Sequence, residues 1–404
     1  MEDGGTCLPD DVLVQIFLLV PARSRRPLRL VCKGWRDVID ERAPPPEDAK
    51  PPAKILVFIN KGRTSRAVVF DGGSRHRERA RTYTSSSDGG RVRMVGTCNG
   101  LLCLHDHTTT YAGFSISTIT VTNPVTGETA ALPPVPRRWA WAQLAKAPGH
   151  YSFGFHPETK LHKVVYIPRG HRWSLDALQV FTLGGNKAAW REVPVPVRGA
   201  CHDLLCEPVS IAGVTYWLAA GRVMSLDLGQ DERVASLDAP PAKMVRPAPG
   251  QAETVRDISW RLTKVGASLG AVVPGPPVAP GVSAGRVDVW VLDVDGGGGE
   301  PPQWSRRYSV VESMWNSWVM APQLTHGDYV LSAEYEWKFS PSQRKWTTLH
   351  RREVGGLVDG GDDNWQRQLP RTKGAQLIMS KEEREGELTT FAYVETQNPV
   401  PRSK

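Results

Sequence analysis

Two groups of cysteine and histidine are the residues of this chain best suited to chemistry. Cys98 and Cys103 precede His105 and His107, and Cys201-His202 precedes Cys206. Thiolate and imidazole together would suggest zinc. On an extended strand Cys103, His105 and His107 share a face, but same-face neighbours stand about 7 Å apart, a poor fit to one tetrahedral shell. The second group lacks a matching CxxC-type pair. No phosphate-loop lysine motif or helix-opening dinucleotide fingerprint occurs. Gly296-Gly297-Gly298-Gly299 lies in a hairpin turn, and Asp362-Asp363 sits in glycine-rich loop as a solvated pair. The residues therefore assemble no catalytic constellation, and neither a metal nor another cofactor is expected.

What the chain does offer is a compact, sticky N-terminus. Val12, Leu13, Ile16, Phe17 and Val20 recur at helical spacing behind Asp10 or Asp11 as N-cap, and Pro21 stops the run. Leu28, Val31, Trp35, Val38 and Ile39 repeat the pattern, and Pro44-Pro45-Pro46 forbids continuation. About forty residues bury too little area to be robust alone. Leftover apolar surface such as Leu8, Ile16 and Leu19 is expected to be covered by another protein.

The elements that must position these residues change character along the 404-residue chain. A short tail over 1–7 and the helical module over 8–42 lead to a proline-rich spacer over 43–54. From Ile55 the texture becomes short apolar strands broken by glycine, proline and asparagine. A hairpin recurs. Ile119–Pro124 returns through Ala130–Leu132, Leu178–Phe181 through Trp190–Val193, and Val223–Asp227 through Val234–Leu237. Val287–Leu292 returns through Trp304–Tyr308, and Tyr335–Phe339 through Trp346–Leu349. Further strands fit between them at Gly100–Leu104, Tyr151–Phe155, Lys163–Ile167, Val214–Leu218 and Tyr329–Ser332. A repeat of about fifty residues predicts propeller blades over 55–396, with a β-sandwich as the alternative. Thr389–Val394 is expected to pair with Ile55–Ile59 and close the ring, leaving a tail over 397–404.

Composition bounds the partners. Lysine and arginine exceed the acids by 50 to 42, giving a formal net charge of +8. The excess is concentrated at Arg63, Arg66, Arg75, Arg77, Arg79, Arg81, Arg91 and Arg93. Without aromatic residues at stacking intervals, the stretch over 71–93 reads as a flexible solvated loop, and nucleic acid is not expected as a partner. A second Pro/Gly-rich loop is expected over 273–285. Six cysteines are sparse for this length, so reduced thiols are expected. No apolar run reaches the eighteen or so residues of a bilayer span, so the chain is expected in cytoplasm and/or nucleus rather than at a membrane.

The N-terminal module resembles an F-box, by which substrate receptors of SCF-type (cullin-RING) ubiquitin ligases dock on a small adaptor. The motif residues map onto Leu8, Pro9, Ile16, Leu19, Val20, Pro21, Val31, Cys32, Lys33 and Trp35, with Arg36 following. The resemblance implies three short helices that bind the adaptor and, through it, cullin. Ser24-Arg25-Arg26-Pro27 departs from the family's apolar pattern, and proline costs roughly 3 kcal/mol inside a helix, so the middle helix should be short. Cys98-Asn99-Gly100-Leu101-Leu102-Cys103, Asn123-Pro124-Val125-Thr126-Gly127-Glu128, Phe153-Gly154-Phe155-His156-Pro157 and Ile211–Leu218 are similar to landmarks of the F-box-associated domain of plant F-box proteins. This implies a non-catalytic receptor whose β-domain binds a target protein for ubiquitination. The residues also leave open a stand-alone protein- or glycan-binding domain with a degenerate F-box, and an enzyme on the same scaffold.

Overall fold

A computed structural model describes residues 9–19, 28, 31–42, 53–61, 63–70, 77–109, 115–136, 149–168, 177–185, 188–195, 207–219, 222–241, 261–274, 284–293, 302–313, 324–326, 329–336, 345–353, 376–379 and 387–401. They fall into two units, Met1–Pro52 and Ala53–Lys404.

The first unit is a helical head. Helix α1 spans Asp10–Leu19, with Asp10 and Asp11 in its first turn, where their charge complements the positive end of the helix. Neither acid is the N-cap; the carbonyl of Pro9 accepts from the amides of Val12 and Leu13 at 3.0 and 3.1 Å. Helix α2 spans Lys33–Glu41 and is capped by extended Cys32, whose Sγ accepts from the Trp35 amide at 3.4 Å. Leu13, Phe17, Val38 and Ile39 form the core between them, with Val14, Leu28 and Trp35 packed against it. The Phe17 and Trp35 rings meet edge to face at 5.1 Å. Arg42 pairs with Asp11, tying the end of α2 to the start of α1. The described residues thus hold two helices, not the three expected. The middle one was placed over residues of which only Leu28 is described.

The second unit is all β. Its strands, in chain order, are β1 (Lys54–Lys61), β2 (Thr64–Phe70), β3 (Arg77–Thr84), β4 (Arg91–Cys98), β5 (Leu101–Thr109), β6 (Ser115–Thr122), β7 (Thr129–Ala131), β8 (His150–His156), β9 (Leu161–Ile167), β10 (Ala177–Leu183), β11 (Arg191–Pro194) and β12 (Val209–Ile211). They continue as β13 (Val214–Ala219), β14 (Arg222–Asp227), β15 (Val234–Leu237), β16 (Arg261–Val265), β17 (Ser268–Pro274), β18 (Ala284–Asp293), β19 (Gln303–Ser313), β20 (Leu324–His326), β21 (Tyr329–Glu336), β22 (Lys345–Glu353), β23 (Gln376–Met379) and β24 (Glu387–Tyr393).

Five sheets result. Three are plain meanders of four strands, β4–β7, β8–β11 and β12–β15. The eight-stranded sheet consists of two such meanders, β16–β19 and β20–β23, fused through a single parallel pair, Val265↔Thr325. The last sheet combines β24 with β1, β2 and β3, from the two ends of the unit. Strand β4 packs beside β8, β8 beside β12, β12 beside β16, β16 beside β20, β20 beside β24 and β24 beside β4. The sheets therefore follow one another round a β-propeller, and the β-sandwich is not formed. The expected closure is present, with Ile55↔Ala392 through Ile59↔Leu388 in register.

Alternation explains why these strands read as nearly continuous apolar runs. Leu102 and Leu104 of β5 face the closing sheet's Leu56, Phe58 and Val69, whereas Leu101 and Cys103 face Tyr151 and Phe153 of the next sheet. In β9, Val164 and Tyr166 join that second cluster while Val165 and Ile167 pack on Trp217 and Met224. The β4–β7 and β8–β11 sheets thus bury both faces.

Three expectations are corrected. The loop expected over 71–93 contains β3 and the start of β4. The tail expected over 397–404 is in part packed, since Val400 is 5% exposed within the core between the second and third sheets. Tyr329–Ser332 and Tyr335–Glu336, read as separate strands, are one strand with an irregularity between Glu334 and Tyr335.

Candidate functional site

The head carries one candidate surface. On α1, positions four apart share a flank, so Leu13 and Phe17 lie on one flank and Val12 and Ile16 on another. The first pair is buried, at 5% and 1% exposure, but Val12 and Ile16 remain 39% and 42% exposed. Val31, ahead of α2, is 60% exposed. Water therefore meets large aliphatic side chains on a unit whose core, among the described residues, has four buried members. Of the residues singled out in the sequence, Pro9, Ile16, Val31, Cys32 and Lys33 are exposed, as is Arg36. Trp35 is half-buried and faces the head's core through Phe17. Leu19 ends α1, and Leu8, Val20 and Pro21 lie outside the described residues. Sequence reasoning assigned Val12 to the buried stripe. The available signal was the presence of two separate i, i+4 pairs on a helix that has one side to bury.

On the ring, the sequence landmarks are turns and seams. Asn99 and Gly100 take positive φ, 48° and 79°, in the two-residue turn joining Cys98 to Leu101. A Cβ on Gly100 would stand 2.7 Å from the Val394 carbonyl, so the turn needs glycine for a second reason. Asn123 is fully buried. Its Oδ1 accepts from the amides of Val125 and Thr126 at 2.8 and 3.3 Å, and its Nδ2 donates to the carbonyls of Thr396 and Asn398 at 3.2 and 2.8 Å. Glu128 Oε2 accepts from the Val400 amide at 3.1 Å. Residues 394–401 therefore leave β24, cross the Asn99-Gly100 and Asn123–Glu128 turns, and reach Gly184 with Pro401. Lys54 and Arg79 approach the Glu395 carboxylate to 3.3 and 3.6 Å.

The head and the ring each match a described family. Residues 6–43 match the F-box-like family, and residues 55–338 match the F-box associated beta propeller domain. The chain is an F-box protein. F-box protein At3g07870 of Arabidopsis thaliana is 28% identical over 171 residues, covering 41% of this chain and 38% of that protein. F-box protein At2g15640 of the same plant is 30% identical over 129 residues, covering 31% and 26%. The matches span well under half the length of either relative.

This F-box protein places Cys98, Cys103 and His105 within the packed part of the ring. Cys103 is fully buried, and burial pushes its thiol far above the usual range. Cys98 is pushed up to about 11, chiefly by burial, with Lys264 opposing. His105 is lowered to about 3, by burial first and then by His107 and Arg93. Its Nε2 lies 3.0 Å from Ser117 Oγ, and its ring packs 4.7 Å from that of Tyr151. Among the described residues no group of three or more potential ligands could hold a metal ion. Cys201, His202, Cys206, Gly296–Gly299 and Asp362-Asp363 lie outside the described residues.

A buried ionic seam joins the β8–β11 and β12–β15 sheets. Lys163 Nζ donates to Glu232 Oε1 at 2.7 Å and to the Gly229 carbonyl at 2.9 Å. Arg191 donates to the same carboxylate oxygen at 2.6 Å. With Lys163 and Glu232 side chains at 4% and 7% exposure, this is a structural contact.

Proposed function

We propose that this chain is the substrate-recognition subunit of an SCF-type ubiquitin ligase. Its head docks on the adaptor and through it on cullin, and its ring binds a target protein. The observation that carries the reading is the exposure of Val12, Ile16 and Val31 on a unit whose core, among the described residues, is small. Covering such side chains with an apolar partner surface gains about 25 cal/mol per Å² removed from water. The two matched families, in this order along one chain, support the same assignment. The chain supplies no reacting group in this reading. It acts by holding target lysines at high local concentration near a charged conjugating enzyme.

The test is co-expression of the full chain with the SCF adaptor, followed by purification on a tag carried by the chain. The adaptor is expected to co-purify with the wild type and to be lost from Ile16→Asp and from Leu8→Ala/Pro9→Ala. Adaptor that fails to bind the wild type at high micromolar concentration would return the chain to the reading of a stand-alone binding protein.

A further inference from the structure

Strands β4 and β5 bring a cluster of basic and imidazole groups to one corner of the ring. Arg91 pairs directly with His107, and Arg93 with His105. Directly opposed residues share a face of the sheet, so all four point the same way. Arg91 and Arg93 are exposed, His107 is half-buried and His105 buried. The His105 and His107 rings lie 5.7 Å apart. Ser117 of β6 pairs with His107, and Tyr151 of β8 packs on His105 from the next sheet. The charge of His150, at the start of β8, also reaches His105.

The nearby carboxylate is committed elsewhere. Asp106 points to the opposite face, where it accepts from Ser85 Oγ at 2.6 Å, from the Ser86 amide at 2.9 Å and from Ser86 Oγ at 3.0 Å. His107 Nε2 is buried with no hydrogen-bond partner. That atom is sealed from solvent, so the imidazole acts on an anion through charge, while the exposed guanidinium groups of Arg91 and Arg93 supply the donors. The corner also lies at the end of the ring away from residues 394–401.

We infer that Arg91, Arg93 and His107 form a binding site for an anionic group, phosphoryl or carboxylate, carried by a protein partner of the ring. Guanidinium groups bind both anions through paired N–H donors, and a phosphoryl group offers more charge and more acceptors. The inference rests on the ring being the partner-binding half of the molecule and does not involve the head.

The test is a titration of the full chain with inorganic phosphate, followed through the imidazole signals by NMR. Bound phosphate is expected to raise the pKa of His107, which burial, Arg93 and Arg91 hold below the ordinary histidine range, with Asp106 opposing. Arg91→Gln and Arg93→Gln are expected to remove that response while leaving the Tyr151 and His105 signals in place. Peptides bearing phosphoserine, glutamate or serine at one position distinguish the two sources. Either anionic peptide is expected to bind about tenfold or more tightly than the serine peptide, and Arg91→Gln to erase the difference. A His107 signal indifferent to phosphate at tens of millimolar would overturn the site. So would a single-stranded oligonucleotide that binds the corner more tightly than either peptide. Neither result bears on adaptor docking, which is read separately by co-purification.

Discussion

The carboxamide of Asn123 stands 2.8 Å from the carbonyl of Asn398, joining the second sheet to the last residues of the chain. The same side chain organises its own turn through Oδ1 and grips the C-terminal segment through Nδ2. The two jobs can be separated. Asn123→Asp keeps an acceptor for Val125 and Thr126 but cannot donate to Thr396 and Asn398. Setting a carboxylate against the Thr396 and Asn398 carbonyls in place of a donor should cost about 2–3 kcal/mol of ring stability. In chemical denaturation, the same substitution should cost far less in a chain ending at Tyr393, since the partner segment is already gone.

The two flanks of α1 should answer mutation differently. Phe17→Ala removes a ring that is 1% exposed and should destabilise the head by about 3–5 kcal/mol. Ile16→Ala, on the exposed flank, should change its stability by less than about 0.5 kcal/mol. Circular dichroism of the head's helices and the adaptor pull-down together separate a folding defect from a docking defect. Loss of docking in Phe17→Ala alone would relocate the contact surface.

The buried seam predicts a large single-site effect. Glu232→Ala leaves Lys163 buried with its Gly229 carbonyl contact but no counter-charge, which should cost about 3–5 kcal/mol. Lys163→Met in the same chain should recover part of the loss, because an apolar side chain of similar length carries no charge to strand. Denaturant midpoints of the two variants provide the check.

Acid should open the ring through its histidines. Burial lowers His105 to about 3 and His162 to about 4, whereas both return to about 6.5 when the chain unfolds. Between those values the unfolded chain binds more protons than the folded one. Stability is therefore complete above about pH 6.5 and falls as pH drops toward 4, by about 1.4 kcal/mol per pH unit for each histidine. His162→Gln should flatten that acid limb in denaturation series run from pH 7 to 4. An unchanged slope would mean that His162 already titrates normally in the folded ring.

Much of the ring was legible because its signals are local. The hairpins around Val121, Val180 and Met224 alternate apolar residues and turn at asparagine, glycine or aspartate, and their strands pair as expected. Pairing of Ile55–Ile59 with the last strand was legible because each run needed a partner the other could supply. Strand β3 was not, since its positions toward the neighbouring sheet are Arg79 and Arg81, which break the apolar alternation. Their contacts are the Glu395 carboxylate and the Val125 carbonyl, distant in sequence from the strand. Val400 was missed for the same reason: nothing near it shows periodicity, and its burial comes from Glu128 and the core beyond. The exposed apolar set of the head was half legible. Ile16 was expected to be exposed, but separating Val12 from Leu13 requires knowing which way α2 packs.

The pairing of β1 with β24 also fixes an order of events during synthesis. Strand β1 is among the first of the ring to leave the ribosome, and it must wait for the codons of β24 before its partner exists. The head, by contrast, is complete as soon as α2 emerges. A premature stop codon anywhere in the ring would thus release a finished plug with no working receptacle. If the head docks as proposed, such a fragment would occupy adaptors without delivering anything, and an early nonsense allele would act as an inhibitor rather than a simple loss.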